Sequence, residues 1–357
     1  MQNGIGPAAS ERSRTPLRDR AGSVALLLVT LVLIAASLET AVRIERGKLF
    51  SAEKARKGQL RLIERPIAVH DAQLGHIPAP NVPGRRFGGS QARVTTDAEG
   101  VRMNRSRPRP DGVPILAVGD SFTFGLEVDD EETWPAHLER LVRRPVLNGG
   151  VFGYGLDQIA LRAEGLLATH PGVRVLIVGV FGDDIERCEY SYLFAPKPWF
   201  DVVDGALVRR NAPVPDRYEA APFVRLRGWL EYSHVADLVF SRVAPAWWLV
   251  EGAAKREHDR GDRVAALLLD RIAAETAGRR LRIVLVTLLP QDFDPRRQAA
   301  LDALATHARE VGMEVVDLAP ALVAMALSDR ERWLTPGYHF SPEANAWVAA
   351  RIAEHLR

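Results

Sequence analysis

The chain has 357 residues, enough for one core of about 250 residues and an appendage. Charged residues make up 26% and hydrophobic residues 47%, ordinary values for a folded globular protein. A net charge of +2 gives no global electrostatic basis for nucleic-acid binding, and a single cysteine, Cys188, excludes an intrachain disulfide and disfavours a Cys-rich metal site.

In chain order, residues 1–20 are polar and carry Arg12, Arg14, Arg18 and Arg20, which reads as a disordered cytoplasmic tail. Ala21 to Leu38 follows without a charge. As a helix it spans about 27 Å, just enough for a hydrocarbon core. It reads as a membrane anchor over 21–40. Ala35-Ala36-Ser37 would also serve as a signal-peptide cleavage site, and a buried core helix is the third reading. The short basic tail places the N-terminus inside and the main domain outside. Residues 41–112 form a polar connector. Within it, Glu53 to Arg65 can extend as a helix, and Pro78 to Gly89 reads as loop. His70, Asp71 and His76 are too loosely spaced for a metal site and read as surface residues.

From Val113 the pattern alternates between β and α, which implies a parallel sheet covered by helices. The expected strands are Val113–Val118, Pro145–Asn148, Arg174–Val180, Leu281–Leu288 and Met313–Asp317. The expected helices include one capped by Asp157, one over Arg296 to Val311, and a terminal one opened by Ser341-Pro342. Right-handed crossovers then give a three-layer α/β/α sandwich. An insertion at about 186–260 breaks the alternation and carries Tyr190, Tyr192, Phe194, Trp199, Phe200, Trp229, Tyr232, Trp247 and Trp248. Such aromatics either stack on sugar rings or form the insertion's own core.

The chemistry centres on Gly119-Asp120-Ser121-Phe122-Thr123-Phe124-Gly125. A serine on a strand-to-helix turn lies at the carboxyl edge of the sheet, where ligands of open α/β folds bind. Thr123 stands where G-x-S-x-G requires glycine, so the α/β-hydrolase elbow is not matched. Gly149-Gly150-Val151-Phe152-Gly153-Tyr154-Gly155 carries its glycines in the wrong order for a dinucleotide site. Those glycines suit a loop that approaches a substrate closely and presents backbone N–H groups. Among the nine histidines, His339 stands out, on a loop just before the last helix. His137 and His170 lie on helices and read as surface residues.

The order GDSF at 119, NGGVFGYG at 148, FGDDI at 181 and GYHFSP at 337 resembles the four blocks of the SGNH/GDSL hydrolase superfamily, over about 113–357. Its membrane-anchored bacterial subgroup is closer still, with an N-terminal apolar helix and a stretch like Asp71 to His76. The resemblance implies a flavodoxin-like sandwich with a five-stranded parallel sheet and ester hydrolysis without a metal or organic cofactor. Carried over by position, Ser121 is the nucleophile and His339 the general base, and the oxyanion hole falls on Ser121, Gly153 and position 183. It also implies an inner-membrane, single-pass protein with its hydrolase-like domain on the periplasmic side.

Two positions depart from the pattern. The third block normally has asparagine where this chain has Asp183, and an ionised carboxylate cannot donate to an oxyanion. One lost donor costs about 10²–10³ in rate. Protonation of Asp183, favoured by burial beside Asp184, would restore a donor. The fourth block normally has aspartate three residues before histidine, where this chain has Pro336. Loss of the acid that orients the imidazole can cost about 10⁴. A backbone carbonyl, Asp317, Asp329 or Glu331 are the replacements the sequence offers. The expectation is therefore a membrane-anchored serine esterase acting on acylated carbohydrate, O-acetyl groups of an extracytoplasmic polysaccharide above all. The alternatives are an O-acyltransferase using the same site and a non-catalytic polysaccharide- or partner-binding descendant.

Overall fold

The computed structural model describes residues 17–50, 55, 67–87, 90–193, 195–215, 224–244, 248, 253–255, 261–288 and 294–357. The chain divides into two units, one of residues 1–57 and 221–249, the other of residues 58–220 and 250–357. Apart from Ala55, the helix expected over Glu53–Arg65 lies outside the described residues.

The smaller unit is built on the helix Leu17–Glu45. Four residues expected in the tail, Leu17 to Arg20, are thus helical. At about 1.5 Å per residue this helix is long enough to cross a bilayer, and its apolar window within Gly22–Glu45 has mean hydropathy 2.3 with none of it buried. Its last turns are tied to the insertion. Glu39 accepts hydrogen bonds from Ser233 Oγ at 2.8 Å, His234 N at 2.9 Å and Val235 N at 3.0 Å. The carboxylate thereby caps the start of the helix His234–Val243, where exposed N–H groups and the helix dipole favour negative charge. Arg43 donates to the Tyr232 carbonyl at 2.8 Å, and Arg46 pairs with Asp237 at 2.8 Å.

In the larger unit, five parallel strands form the central sheet: β1 (Ile115–Val118), β2 (Val146–Asn148), β3 (Val175–Val180), β4 (Arg282–Thr287) and β5 (Glu314–Asp317). Their order is β2-β1-β3-β4-β5, the flavodoxin-like order in which the chain switches direction between β1 and β3. The helices are α1 (Ser121–Phe124), α2 (Trp134–Val142), α3 (Leu156–Thr169), α4 (Gly182–Glu186), α5 (Gly261–Thr276), α6 (Pro295–Glu310), α7 (Ala319–Ser328), α8 (Arg330–Trp333) and α9 (Pro342–Leu356). The strand pleat sorts the core. Ile115 and Ala117 face the layer of α2, α7 and α9, with Trp134, Leu322 and Val348. Leu116 and Val118 face α3, α5 and α6, with Ile159, Leu268 and Leu301. Because both faces are covered, β1 and β3 are buried at every position.

The connector is more structured than its composition implied. Hairpins form between Ala68–Asp71 and Gly75–Pro78 and between Arg85–Phe87 and Ala92–Val94, so part of the expected Pro78–Gly89 loop is strand. The pairing partner comes from beyond the Pro/Gly-rich stretch, which local composition does not reveal. Arg102 then donates its N–H to the Asn148 carbonyl at 3.0 Å, an isolated bridge that lays the connector against the β2 edge. In the insertion, Asp204 and Gly205 take positive φ values of 50° and 81° in a two-residue turn that joins the strands Trp199–Val203 and Ala206–Arg210.

Candidate active site

The carboxyl end of β1 runs into the short helix α1, which begins at Ser121. Asp120 caps it, accepting from Phe122 N at 2.9 Å, and Gly125 ends it in the left-handed conformation, φ +79°. Gly119 has to be glycine, because an added Cβ would collide with Thr123 and the Gly179 carbonyl on β3. As the first residue of α1, Ser121 has no intrahelical acceptor for its N–H. No hydrogen bond from the Gly153 N–H is seen among the described residues, and Gly153 holds φ +77°. Among the described residues, two backbone donors are therefore without an acceptor at the carboxyl edge of the sheet.

His339 Nε2 lies 3.0 Å from Ser121 Oγ, within reach for proton transfer. The histidine is delivered by a tight loop. Leu334 and Phe340 form a bridge, Thr335 N donates to the His339 carbonyl at 2.8 Å, and Tyr338 adopts φ +69°. Phe122, buried beside the serine, packs on the His339 ring with centroids 5.3 Å apart and on Phe181 at 4.5 Å. Ser121 Oγ also reaches Asp120 Oδ2 at 3.3 Å. That carboxylate is held by Arg187 at 3.2 Å, and Arg187 in turn reaches Asp184 at 2.8 Å and the Tyr154 carbonyl at 2.9 Å.

Asp183 lies in the first turn of α4, buried, and its Oδ1 stands 2.9 Å from an Arg297 nitrogen. Burial pushes the Asp183 carboxyl above the ordinary carboxylate range, while Arg187 and Arg297 pull it back. Asp184 lies deeper, and burial raises it well above its ordinary value, with Asp120 adding to the rise.

None of the acids expected to orient His339 is seen against it. Asp317 accepts from Thr287 Oγ1 at 2.5 Å on the β5 edge, Asp329 caps α8, and Glu331 is exposed. Among the described residues His339 Nδ1 is instead buried without a hydrogen-bond partner, and Glu127 Oε2 lies 3.7 Å from it. Glu127 is a residue the sequence reading missed. Its signal was slight: a single acid between the apolar Leu126 and Val128 just after the serine's turn.

His76 is a second correction. It is 1% exposed rather than on the surface, and its Nε2 bonds the Phe152 carbonyl at 2.9 Å. Tyr154 OH donates to the His76 carbonyl at 2.5 Å, so the connector braces the glycine loop from both sides of Gly153. Burial pushes His76 down to about 4, so it is neutral at pH 7. Asp157, expected as a cap, sits inside the first turn of α3 and pairs with buried Lys197 at 2.7 Å. Cys188 is wholly buried, and burial raises its thiol far above the usual value, which suits packing rather than nucleophilic chemistry. Of the insertion's aromatics, Phe200 and Trp248 are buried, while Phe194 and Trp247 lie outside the described residues.

No protein-family profile and no curated protein matches the chain. Solved structures do. A lipolytic G-D-S-L family member from Veillonella parvula is 13% identical, with 68% of this chain and 97% of that one covered at a TM-score of 0.41. A G-D-S-L lipolytic protein from Desulfitobacterium hafniense is 15% identical, covering 68% and 99% at 0.38. A variant of Axe2, an acetylxylan esterase from Geobacillus stearothermophilus, is 14% identical, covering 69% and 95% at 0.40.

Proposed function

We propose that this chain is a membrane-anchored serine esterase of SGNH/GDSL type. The observation that carries the reading is the 3.0 Å contact between His339 Nε2 and Ser121 Oγ, made by residues 218 positions apart at the carboxyl edge of the sheet. Ser121 Oγ attacks the acyl carbonyl as its proton passes to Nε2. The tetrahedral oxyanion is met by the N–H groups of Ser121 and Gly153. Collapse expels the alcohol, which takes the proton from His339, and water then releases the acid by the same route.

The substrate class we infer is an O-acyl ester of an extracytoplasmic polysaccharide, O-acetyl groups foremost. This rests on the block resemblance and on the anchor. The insertion's aromatics lend it less than expected, since Phe200 and Trp248 are spent on packing. Passing the same acyl group to a sugar hydroxyl instead of water would make the protein an O-acyltransferase. A non-catalytic binding protein is the competing class, favoured by Asp183 and Pro336. The bonding of Glu39, Arg43 and Arg46 to the insertion supports retention of the N-terminal helix, because cleavage near Ser37 would leave Glu39 at a free chain end.

The test is fluorophosphonate labelling of the purified full chain. The expected result is labelling that disappears in Ser121→Ala, together with hydrolysis of short acyl esters. Absence of both would leave the binding-protein reading standing.

A further inference from the structure

We propose that Glu127 is the carboxylate that positions His339, taking over the duty that Pro336 cannot perform. The inference deepens the esterase reading and rests on it for its kinetic arm only.

The His339 ring has one nitrogen accounted for and one not. Nε2 meets Ser121 Oγ, whereas Nδ1 is buried with no hydrogen bond to any described residue. A buried ring N–H without a partner is costly. The carboxylate paired with it is Glu127, 3.7 Å away, and both side chains are only one-fifth exposed. Hydrogen bonds of catalytic sites are commonly long in the unliganded state and tighten with substrate, and about 1 Å of approach would close this one.

The 335–339 loop is built around that carboxylate. Thr335 Oγ1 donates to Glu127 Oε2 and accepts from the His339 N–H at 3.1 Å, so one hydroxyl links the acid to the backbone of the base. The Gly337 N–H also bonds Glu127. A Cβ at residue 337 would overlap the Glu127 carboxylate, so glycine is what lets the loop come so close. The contact with His339, then those with Thr335 and Gly337, hold the Glu127 carboxyl below its ordinary range, against the burial that would raise it. Glu127 is thus charged where it is needed.

The other side of Glu127 is equally fixed. Arg102, wholly buried, donates to the Phe124 carbonyl at 2.7 Å, to the Gly125 carbonyl and to the Val128 carbonyl at 2.7 Å. Its guanidinium brackets the acid's segment, and Asp130 holds its Nε at 3.1 Å. Gly125 N and Leu126 N meanwhile donate to the Ser121 carbonyl. Serine and acid therefore belong to one braced turn, while the base reaches it from the far end of the chain. A carboxylate facing Nδ1 selects the tautomer protonated there, which leaves the Nε2 lone pair towards the serine hydroxyl and stabilises the imidazolium formed on attack.

The experiment uses the full chain in nanodiscs and two variants, Glu127→Gln and Gly337→Ala, the second keeping the acid but displacing it. Near-UV circular dichroism verifies the fold. In each variant kcat on a short acyl ester is expected to fall about 10²–10⁴-fold, with KM within about twofold. Independently of turnover, the downfield Nδ1–H proton resonance of His339, assigned by its loss in His339→Ala, is expected in the wild type and absent in Glu127→Gln. A folded Glu127→Gln with unchanged kcat, a loss confined to KM, or an unchanged proton resonance overturns the inference. Were the wild type inactive on every ester, the resonance would still decide the role of Glu127, and only the esterase reading would fall.

Discussion

At the scale of the residue, the site is an edited version of the arrangement its blocks resemble. Position 336 holds proline where those blocks carry an acid, and Glu127 is the acid proposed in its stead, so supplying the block's own geometry should compensate. Pro336→Asp placed in Glu127→Gln is expected to recover kcat at least about tenfold over the single variant, measured by ester hydrolysis. Asp183 is the other position at which this chain departs from those blocks. Burial raises its folded pKa above the unfolded value, so between the two values the folded chain keeps a proton that the unfolded chain releases. Stability therefore falls as pH rises through that window. Asp183→Asn should flatten the fall, seen as urea midpoints at pH 4–7, and should raise kcat by up to about 10² by supplying a side-chain donor. Ser121 and His339 were legible because short local patterns mark them. Glu127 was not, because only the closing of the 335–339 loop over the turn after α1 gives that acid its neighbour.

Among the elements, the connector has the largest discrepancy between composition and role. Its residues read as polar linker, yet His76 holds Phe152 and Arg102 holds Phe124 and Val128. Both act through long-range backbone contacts that no periodicity encodes. The sheet strands and the helices α3, α6 and α9 were readable, since a buried parallel strand is a short apolar run and Ser341-Pro342 marks the start of α9. His76 makes a pH prediction. Its pKa drops from 6.5 to about 4 on folding, so the unfolded chain binds the extra proton in that interval. Its contribution is complete above pH 6.5 and is lost as pH falls towards 4, by about 3 kcal/mol in all. Chemical denaturation should record this loss, and His76→Gln should remove it while lowering kcat through a looser Gly153 loop. At the other unit, Glu39→Ala removes the acceptor of the His234 and Val235 N–H groups and leaves Ser233 Oγ, on Ala236 N, as the helix's cap. Faster proteolysis within Ser233–Val243 is the expected outcome.

For the whole molecule, the N-terminal helix is the element on which the proposed anchoring rests. Alkaline carbonate extraction should leave full-length chain in the membrane, and a shortened soluble product would mean that the helix is a cleaved signal. The sandwich could be anticipated from alternating apolar runs because the sheet is covered on both faces, and its flavodoxin-like order only through the block resemblance; the two-unit division could not, because the smaller unit joins segments on either side of residues 58–220. The turn that carries Ser121 and Glu127 within seven residues has a consequence for inheritance. On the roles proposed for them, nucleophile and acid travel as one cassette, and a graft of that segment onto another sandwich would bring two of the three groups already mutually placed. The remaining loop then has a single chemical obligation, the imidazole, and position 336 is free to be a stiffening proline.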